Sequence, residues 1–133
     1  MLGAMDAAQA IADLTEISPQ VKQVVVIGAD ASPAGTNVSD ERAARLAEGA
    51  RRLVEAAEEL RPGVSQLEVA TLAGSVFVVR DGERMIAATT SPEPTVGLVF
   101  YDLKTCLRSI DEPKPKPRTR AKKQPEETND AAA

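Results

Sequence analysis

The sequence predicts an α+β domain in which helices cover an antiparallel sheet, and two observations carry this prediction. The first is a set of three extended runs at residues 66–71, 75–80 and 85–90. They are separated by the turn signals Ala73-Gly74 and Asp81-Gly82, and an Asp-Gly pair between β-branched runs favours a tight hairpin because glycine accepts positive φ. The second is the continuous apolar sequence VFVV inside the middle run, which is typical of a strand covered on both faces. We therefore expect a three-stranded meander between helical layers.

Three elements are predicted before the meander. Residues 6–18 predict a short helix, because isoleucine and leucine recur at every third position on one side. Residues 21–30 contain the β-branched sequence VVVI and predict a central strand. A weak second strand is predicted at residues 35–38, and we expect it at a sheet edge because the nearby Pro33 has no backbone N–H to donate to a neighbouring strand.

Two longer helices complete the predicted order. Ser39 is a suitable N-cap for a helix that ends near Leu60, before a Pro-Gly pair, and most of its apolar stripe is alanine. Such a stripe permits close approach to a sheet or to another helix. The last helix, predicted at residues 95–110, has the most regular apolar spacing in the chain, with positions i, i+3, i+4 and i+7 occupied. The predicted order is therefore α-β-β-α-β-β-β-α.

Residues 111–133 differ in composition from the predicted domain, which we place at residues 1–110. The segment DEPKPKPRTRAKKQPEETNDAAA is rich in proline and charge and has no apolar periodicity, so we predict it to be disordered. It carries six positive charges between Pro113 and Gln124, for which a solubilising role is the favoured interpretation. The domain holds 10 basic and 15 acidic residues, which argues against a nucleic-acid-binding surface. Since the tail also lacks aromatic side chains for base stacking, nucleic acid is not an expected partner.

Composition also bounds size and compartment. A chain of 133 residues has room for one domain, and its aromatic residues are two phenylalanines and one tyrosine. A core built mainly from Val, Ile, Leu and Ala indicates that a partner subunit completes it. Cys106 is the single cysteine, which excludes an intrachain disulfide and favours a reducing cytoplasm. Because the sequence shows neither a signal peptide nor an apolar run of about 18–20 residues, we expect a soluble cytoplasmic protein without a membrane partner.

The sequence predicts no catalytic, cofactor-binding or metal-binding residue. It contains no histidine, the commonest general base and metal ligand. Cys106 falls on the apolar stripe of the last helix and is interpreted as a core residue. The segment at residues 28–36 follows a strand, as a phosphate-binding loop does, but it lacks the lysine of such a loop and is interpreted as a turn. Arg80 and Arg84 are interpreted as solvating the hairpin end, with a partner contact as the alternative. We therefore expect that the protein is not an enzyme.

Four segments carry a family resemblance: QVVVIGAD, SDERAARLAEGARRL, SVFVVRDGERMIAAT and PTVGLVFYDLKTCL, which begin at residues 23, 39, 75 and 94. In this order they resemble the roadblock family, also called the dynein light chain roadblock family, and the resemblance spans residues 7–110. One departure is ASPAGTN at residues 31–37, where family members have a clearer apolar second strand.

The resemblance implies a roadblock or profilin-like fold, with a five-stranded antiparallel sheet, the long helix on one face and the other two helices on the opposite face. Family members form homodimers or heterodimers through the long helix and the first strand of the meander. A homodimer is also expected on physical grounds, because residues 66–71 would otherwise form a bare sheet edge. The residues predicted at the dimer interface are Ala43, Leu46, Ala47, Ala50, Leu53, Ala57, Leu67, Val69 and Thr71.

The resemblance also implies a partner. Bacterial and archaeal family members of the MglB type bind and regulate small Ras-like GTPases, and they act by reshaping the switch regions of the GTPase. By this resemblance, the chain is expected to be a non-catalytic adaptor or regulator of such a GTPase. The expected kinds of regulation include activation of GTP hydrolysis. Its alanine-rich composition indicates a bacterial protein. An alternative function is a sensory or scaffold module that binds a small ligand or another protein through the profilin-like sheet.

Overall fold

The computed structural model describes residues 6–110, in which five strands form one antiparallel sheet flanked by three helices. In chain order the elements are α1 (Ala7–Ile17), β1 (Val21–Ile27), β2 (Pro33–Thr36), α2 (Asp40–Leu60), β3 (Gln66–Thr71), β4 (Gly74–Asp81), β5 (Arg84–Thr90) and α3 (Val96–Ser109). The strands lie in the order β2-β1-β5-β4-β3, with every neighbouring pair antiparallel. The predicted fold class and element order are confirmed, and β2 and β3 form the two edges of the sheet.

One face of the sheet is covered by α1 and α3. Side chains of alternate strand residues, such as Val24 and Phe77, point into this layer together with Leu14 and Leu103 from the helices. The Phe77 ring meets the Phe100 ring edge to face, with 4.9 Å between centroids. The regular apolar spacing of α3 therefore predicted its docking correctly.

The opposite face is covered by α2. Three of its alanines pack with Val25 and Val78, which alternate with residues of the first layer along their strands. The alanines in question are Ala43, Ala47 and Ala50. Because alanine side chains are short, the helix backbone lies close to the sheet, as the small-residue stripe predicted.

The second strand forms at a sheet edge, as predicted, but it occupies Pro33–Thr36 rather than residues 35–38. A shift in pairing between Val26 and Ile27 allows Ile27 to lie opposite Pro33. Beyond Thr36 the side chain of Asn37 replaces strand pairing: its Oδ1 accepts from the Val24 N–H at 2.8 Å, and its Nδ2 donates to the Lys22 carbonyl at 2.8 Å. The predicted start of this strand was therefore two residues late.

The helix starts follow the capping residues in the sequence. The Asp6 carboxylate accepts from the Gln9 N–H at 2.9 Å, and the Ser39 hydroxyl accepts from the Arg42 N–H at 3.3 Å. The predicted disordered tail at residues 111–133 lies outside the described residues. Among the helices of residues 6–110, none combines the length and apolarity needed to cross a lipid bilayer.

Candidate protein-interaction surface

The helix α2 covers only part of its face of the sheet. It packs mainly over β1, β2 and β5. Of the residues that point toward this face from β4, Val78 is buried, whereas Val76 is partly exposed. On β3, which pairs with β4, Leu67 is partly exposed and Val69 is 38% exposed. An apolar strip along β3 and the adjoining part of β4 is therefore left open to solvent.

A second apolar stripe runs along α2 beside the buried one. Its members alternate in spacing between three and four residues, as in the seam of a coiled coil: Leu46, Gly49, Leu53, Ala56 and Leu60. Leu46 and Leu53 are partly exposed, and Leu60 is 81% exposed. Together with Ala50 and Val76, the first three members line a shallow groove rimmed by arginines. We call this groove, with the exposed apolar residues of β3, the open face.

The open face ends at an unprotected sheet edge. Strand β3 makes its main contacts with β4, and its pairing from Gln66 to Thr71 is regular, without a bulge. The strand contains neither proline nor lysine, two residues that commonly protect sheet edges. Its one charged side chain, Glu68, accepts a hydrogen bond from the Ser75 hydroxyl at 2.9 Å. The outer backbone groups of β3 are thus available to pair with another strand.

The nine residues predicted at a dimer interface fall into two groups in the structure. Three alanines, each 1% exposed, pack against the protomer's own sheet: Ala43, Ala47 and Ala50. The other six retain exposed surface on the open face or at its rim: Leu46, Leu53, Ala57, Leu67, Val69 and Thr71. Of the six, Thr71 also closes the hairpin turn, because its hydroxyl donates to the Gly74 carbonyl at 2.6 Å. The interface itself stays a prediction.

The structure adds residues that the sequence prediction missed. Gly49, Ala56 and Val76 lie on or beside the open face, yet none was predicted at the interface. The signal for the first two was the alternating spacing of three and four residues along α2. The signal for Val76 required knowing how far α2 extends across the sheet, which its sequence does not state.

Charged side chains of α2 form ion pairs within the helix and with β4. Glu48 and Arg52, four residues apart on α2, lie 3.0 Å from each other, and Arg51 contacts Glu48 and the Ala31 carbonyl. Near the C-terminal end of α2, Arg80 of β4 lies 3.0 Å from Glu58.

The Glu58 carboxylate, near the C-terminal end of α2, accepts hydrogen bonds from three residues. Its carboxylate accepts from the backbone N–H groups of Val64 and Gly63, and these bonds, more than the neighbouring Arg80, lower the pKa of Glu58. Arg80 was expected to solvate the hairpin end. That interpretation was wrong, since Arg80 joins β4 to α2.

The remaining candidates for chemistry have structural explanations. Cys106 is 5% exposed, and burial, followed by the charge of Asp13, raises the pKa of its thiol to about 11. The thiol is therefore protonated at neutral pH, and the predicted core role is confirmed. In the segment at residues 28–36, residues 28–32 form the predicted turn, in which the Gly28 N–H donates to the Ser32 carbonyl at 3.0 Å, and the remaining residues form β2. Hydrogen bonds from Ser32 lower the pKa of Asp30 in this turn.

Within residues 6–110, no group of three or more histidine, cysteine or acidic residues is placed to hold a metal ion.

Solved structures with the same arrangement include roadblock domains. A Roadblock/LC7 domain from Streptomyces avermitilis superposes with a TM-score of 0.68 at 17% identity, covering 79% of this chain and 94% of that one. MglB from Myxococcus xanthus gives a TM-score of 0.61 at 13% identity and covers 77% and 89% of the two chains. The gliding protein MglB from Thermus thermophilus gives 0.61 at 12% identity and covers 83% and 89%. No protein-family model matches the chain, and no curated protein matches it. The chain thus has the roadblock fold.

Proposed function

We propose that this chain is a homodimeric roadblock-domain protein that binds a small Ras-like GTPase as a non-catalytic adaptor or regulator. The observation that carries the proposal is the open face, an apolar strip along α2 and β3 that the protomer leaves exposed. Two further facts support it: the fold is that of MglB proteins, and the sequence resembles the family whose MglB-type members regulate such GTPases.

In the proposed dimer a second copy covers the open face. The two β3 strands pair across a twofold axis, and the two α2 helices meet along the stripe that includes Leu46 and Leu53. Pairing would satisfy the outer backbone groups of β3 and remove an exposed edge. Strand and helix lie side by side on one face, so a single partner covers both.

Gly49 provides a second argument for helix pairing. A glycine inside a helix costs about 1 kcal/mol relative to alanine, so its presence calls for a reason. Within the protomer no neighbouring atom lies within 4 Å of where a Cβ at Gly49 would be. The protomer therefore makes no use of the missing side chain. A second α2 helix approaching closely at this point would use it.

The proposed regulation works by contact with the GTPase, as the family resemblance implies.

The alternative function, a module that binds a small ligand between helix and sheet, has less support. The space between α2 and the sheet is filled by Ala43, Ala47 and Ala50, packed with Val25 and Val78. A ligand would have to displace these side chains, whereas a protein partner can bind the open face without rearrangement.

The dimer is tested by size-exclusion chromatography with light scattering. The wild-type protein is expected at twice the chain mass of 14.0 kDa. Leu53→Arg places a charge in the groove and is expected to give a folded monomer. Ala44→Arg is the matched control, because Ala44 is exposed on the other shoulder of α2, and it should stay dimeric. A substitution at the buried Ala50 would disturb the protomer core and is less informative. A monomeric wild-type protein would contradict the proposal.

The GTPase partner is tested with small Ras-like GTPases encoded in the same genome, each loaded with GDP or with a non-hydrolysable GTP analogue. Biolayer interferometry is expected to show tighter binding to one nucleotide state. The Leu53→Arg monomer is expected to bind more weakly if the dimer forms the contact surface. Equal binding of both states, or none, would reject a regulatory role even if the protein is dimeric.

A further inference from the structure

A second groove lies on the opposite face of the molecule, between α1 and α3, and it is acidic. Its walls include the apolar side chains of Leu14 and Ile17, and three carboxylates line it: Asp13, Glu16 and Asp102. None of the lining residues is basic. Ile17 is 66% exposed at the rim, so the groove offers both apolar surface and negative charge.

Asp102 makes this groove more than a cluster of surface charges. It is only 8% exposed, yet no hydrogen bond or ion pair to it is found among residues 6–110. By contrast, Asp13 accepts from the Gln9 side chain at 3.0 Å. Arg108, in the last turn of α3, lies 3.5 Å from Asp81 and is engaged there. The carboxylate oxygens of Asp102 are not among the fully buried unpartnered atoms of residues 6–110, so they open into the groove, where a cation would meet an unpaired carboxylate.

The chain carries a suitable cation close to the groove. The helices run antiparallel, because Thr95 before α3 donates its N–H to the Gln20 side chain, just after α1, at 2.7 Å. The chain leaves α3 at Ser109, which itself lines the groove. Residues 113–124 follow, with six basic residues and no acidic one. The charges of the groove and of this segment are therefore complementary.

The distances allow the segment to turn back. Asp102 lies eight residues before Ile110, which corresponds to about 12 Å along a helix axis. Four extended residues span at most about 14 Å, so Lys114 is the first basic residue able to reach Asp102. Lys116 comes two residues later, and Asp13 and Glu16 are the other carboxylates of the groove.

We propose that the basic segment at residues 113–124 binds within its own chain to the acidic groove between α1 and α3, with a lysine of its PKPK sequence against Asp102. Attachment to α3 gives the segment a high effective concentration at the groove, so weak individual contacts suffice. The groove lies on the sheet face opposite α2. The proposal is therefore independent of the dimer and of the GTPase.

The test compares the full chain with a full-length variant in which the six basic residues at 114, 116, 118, 120, 122 and 123 are glutamine. In ¹H–¹⁵N spectra at low ionic strength, the amide signals of Asp13, Asp102 and Thr105 are expected to differ between the two proteins. At about 1 M salt, where the Debye length is about 3 Å, the difference should disappear. Unchanged groove signals at low salt, or changes confined to another surface, would overturn the proposal.

A groove variant and a mixing experiment complete the test. Asp13→Asn with Asp102→Asn is expected to abolish the salt-dependent shifts of the tail amides, whereas Glu55→Gln with Glu59→Gln, on the solvent face of α2, should leave them in place. Adding unlabelled wild-type protein to the labelled glutamine variant should not shift the groove signals. If it does, the segment binds a second copy, and binding within one chain is wrong.

Discussion

The two edges of the sheet are treated in opposite ways. The edge at β2 is short, begins with a proline and is continued by the Asn37 side chain, which bonds to the backbone of β1. It is also covered by α1, which approaches so closely that a Cβ on Gly35 would lie 2.5 Å from the Ala7 side chain. The edge at β3 has six residues in regular pairing, no proline and no bulge. One edge is closed within the protomer and the other is left available.

The difference between the two edges bears on function, because only the exposed edge at β3 can pair with another strand. A protein that had to remain monomeric would be expected to protect both edges, because an exposed strand is a template for pairing. Here the protected edge lies at one end of the sheet, and the exposed edge adjoins the groove beside α2. The coincidence of a free edge and an apolar groove on one side is what supports a dimer at that side.

The largest effect is expected from a charge on the open edge. Val69→Lys is expected to raise the dissociation constant of the proposed dimer at least about 100-fold, or about 2.7 kcal/mol, because the ammonium would be buried between two copies. Since Val69 is exposed in the protomer, the stability of the monomer should change by no more than about 0.5 kcal/mol. Analytical ultracentrifugation and urea unfolding measure the two quantities.

The matched control is Ala34→Lys on the closed edge. Ala34 is exposed in β2, so the same side chain is introduced at the other end of the sheet. It should leave the dissociation constant unchanged. An equal loss of dimer from both substitutions would mean that the two edges do not differ in the way proposed.

The closed edge should be sensitive to a single methyl group. Gly35→Ala is expected to destabilise the protein by about 1–3 kcal/mol, because α1 must move away from β2 to admit the Cβ. Gly97→Ala in α3 is the control, since no neighbouring atom lies within 4 Å of that position. Urea unfolding should show a lower midpoint for the first variant and an unchanged or higher one for the second. Equal stability of the two would contradict the close packing of α1 on β2.

Much of this comparison could be predicted from the sequence. The Asp-Gly turn, the VFVV strand and the spacing of α3 are local signals, and each produced the expected element. The alanine stripe of α2 was more ambiguous, because small residues suit a sheet and a partner helix equally. The structure assigns Ala43, Ala47 and Ala50 to the protomer's own sheet.

Other features depended on contacts between distant parts of the chain. Glu58 and Arg80 meet although 22 residues separate them, and no local pattern identifies the pair. Asp102 does not belong to the apolar spacing of α3, so the sequence offered no reason to expect its burial. In the structure it is largely buried in a groove formed by α1 and α3. Such features follow from how far each helix extends across the sheet, which the periodicity of a single element does not determine.

At Gly49 on the open face, a change to alanine is expected to raise the stability of the protomer, whereas the same change at Gly35 lowers it. In the monomeric Leu53→Arg background, Gly49→Ala should stabilise the protomer by up to about 1 kcal/mol, because helix propensity improves and the Cβ meets no neighbour. In the wild-type background the same change should raise the dissociation constant of the proposed dimer, because the added Cβ would fill space between the two α2 helices. Stabilisation in both backgrounds without a loss of affinity would show that the helices do not meet at Gly49.

The smallest change in stability is expected at Glu58, which joins the end of α2 to Arg80 of β4. The lowered pKa of Glu58 means that its charged form stabilises the fold above the usual carboxyl pKa of 4.5, and that this contribution is lost as the pH falls through the lower pKa of the folded state. Glu58→Gln should therefore lower the urea midpoint at pH 7, and the difference from wild type should shrink progressively below about pH 4.5. Glu59→Gln is the control, because no hydrogen bond or ion pair of Glu59 is found within residues 6–110, and it should change the midpoint little at any pH. A difference at Glu58 that persists at low pH would show that the carboxylate charge is not what holds the end of α2 against β4.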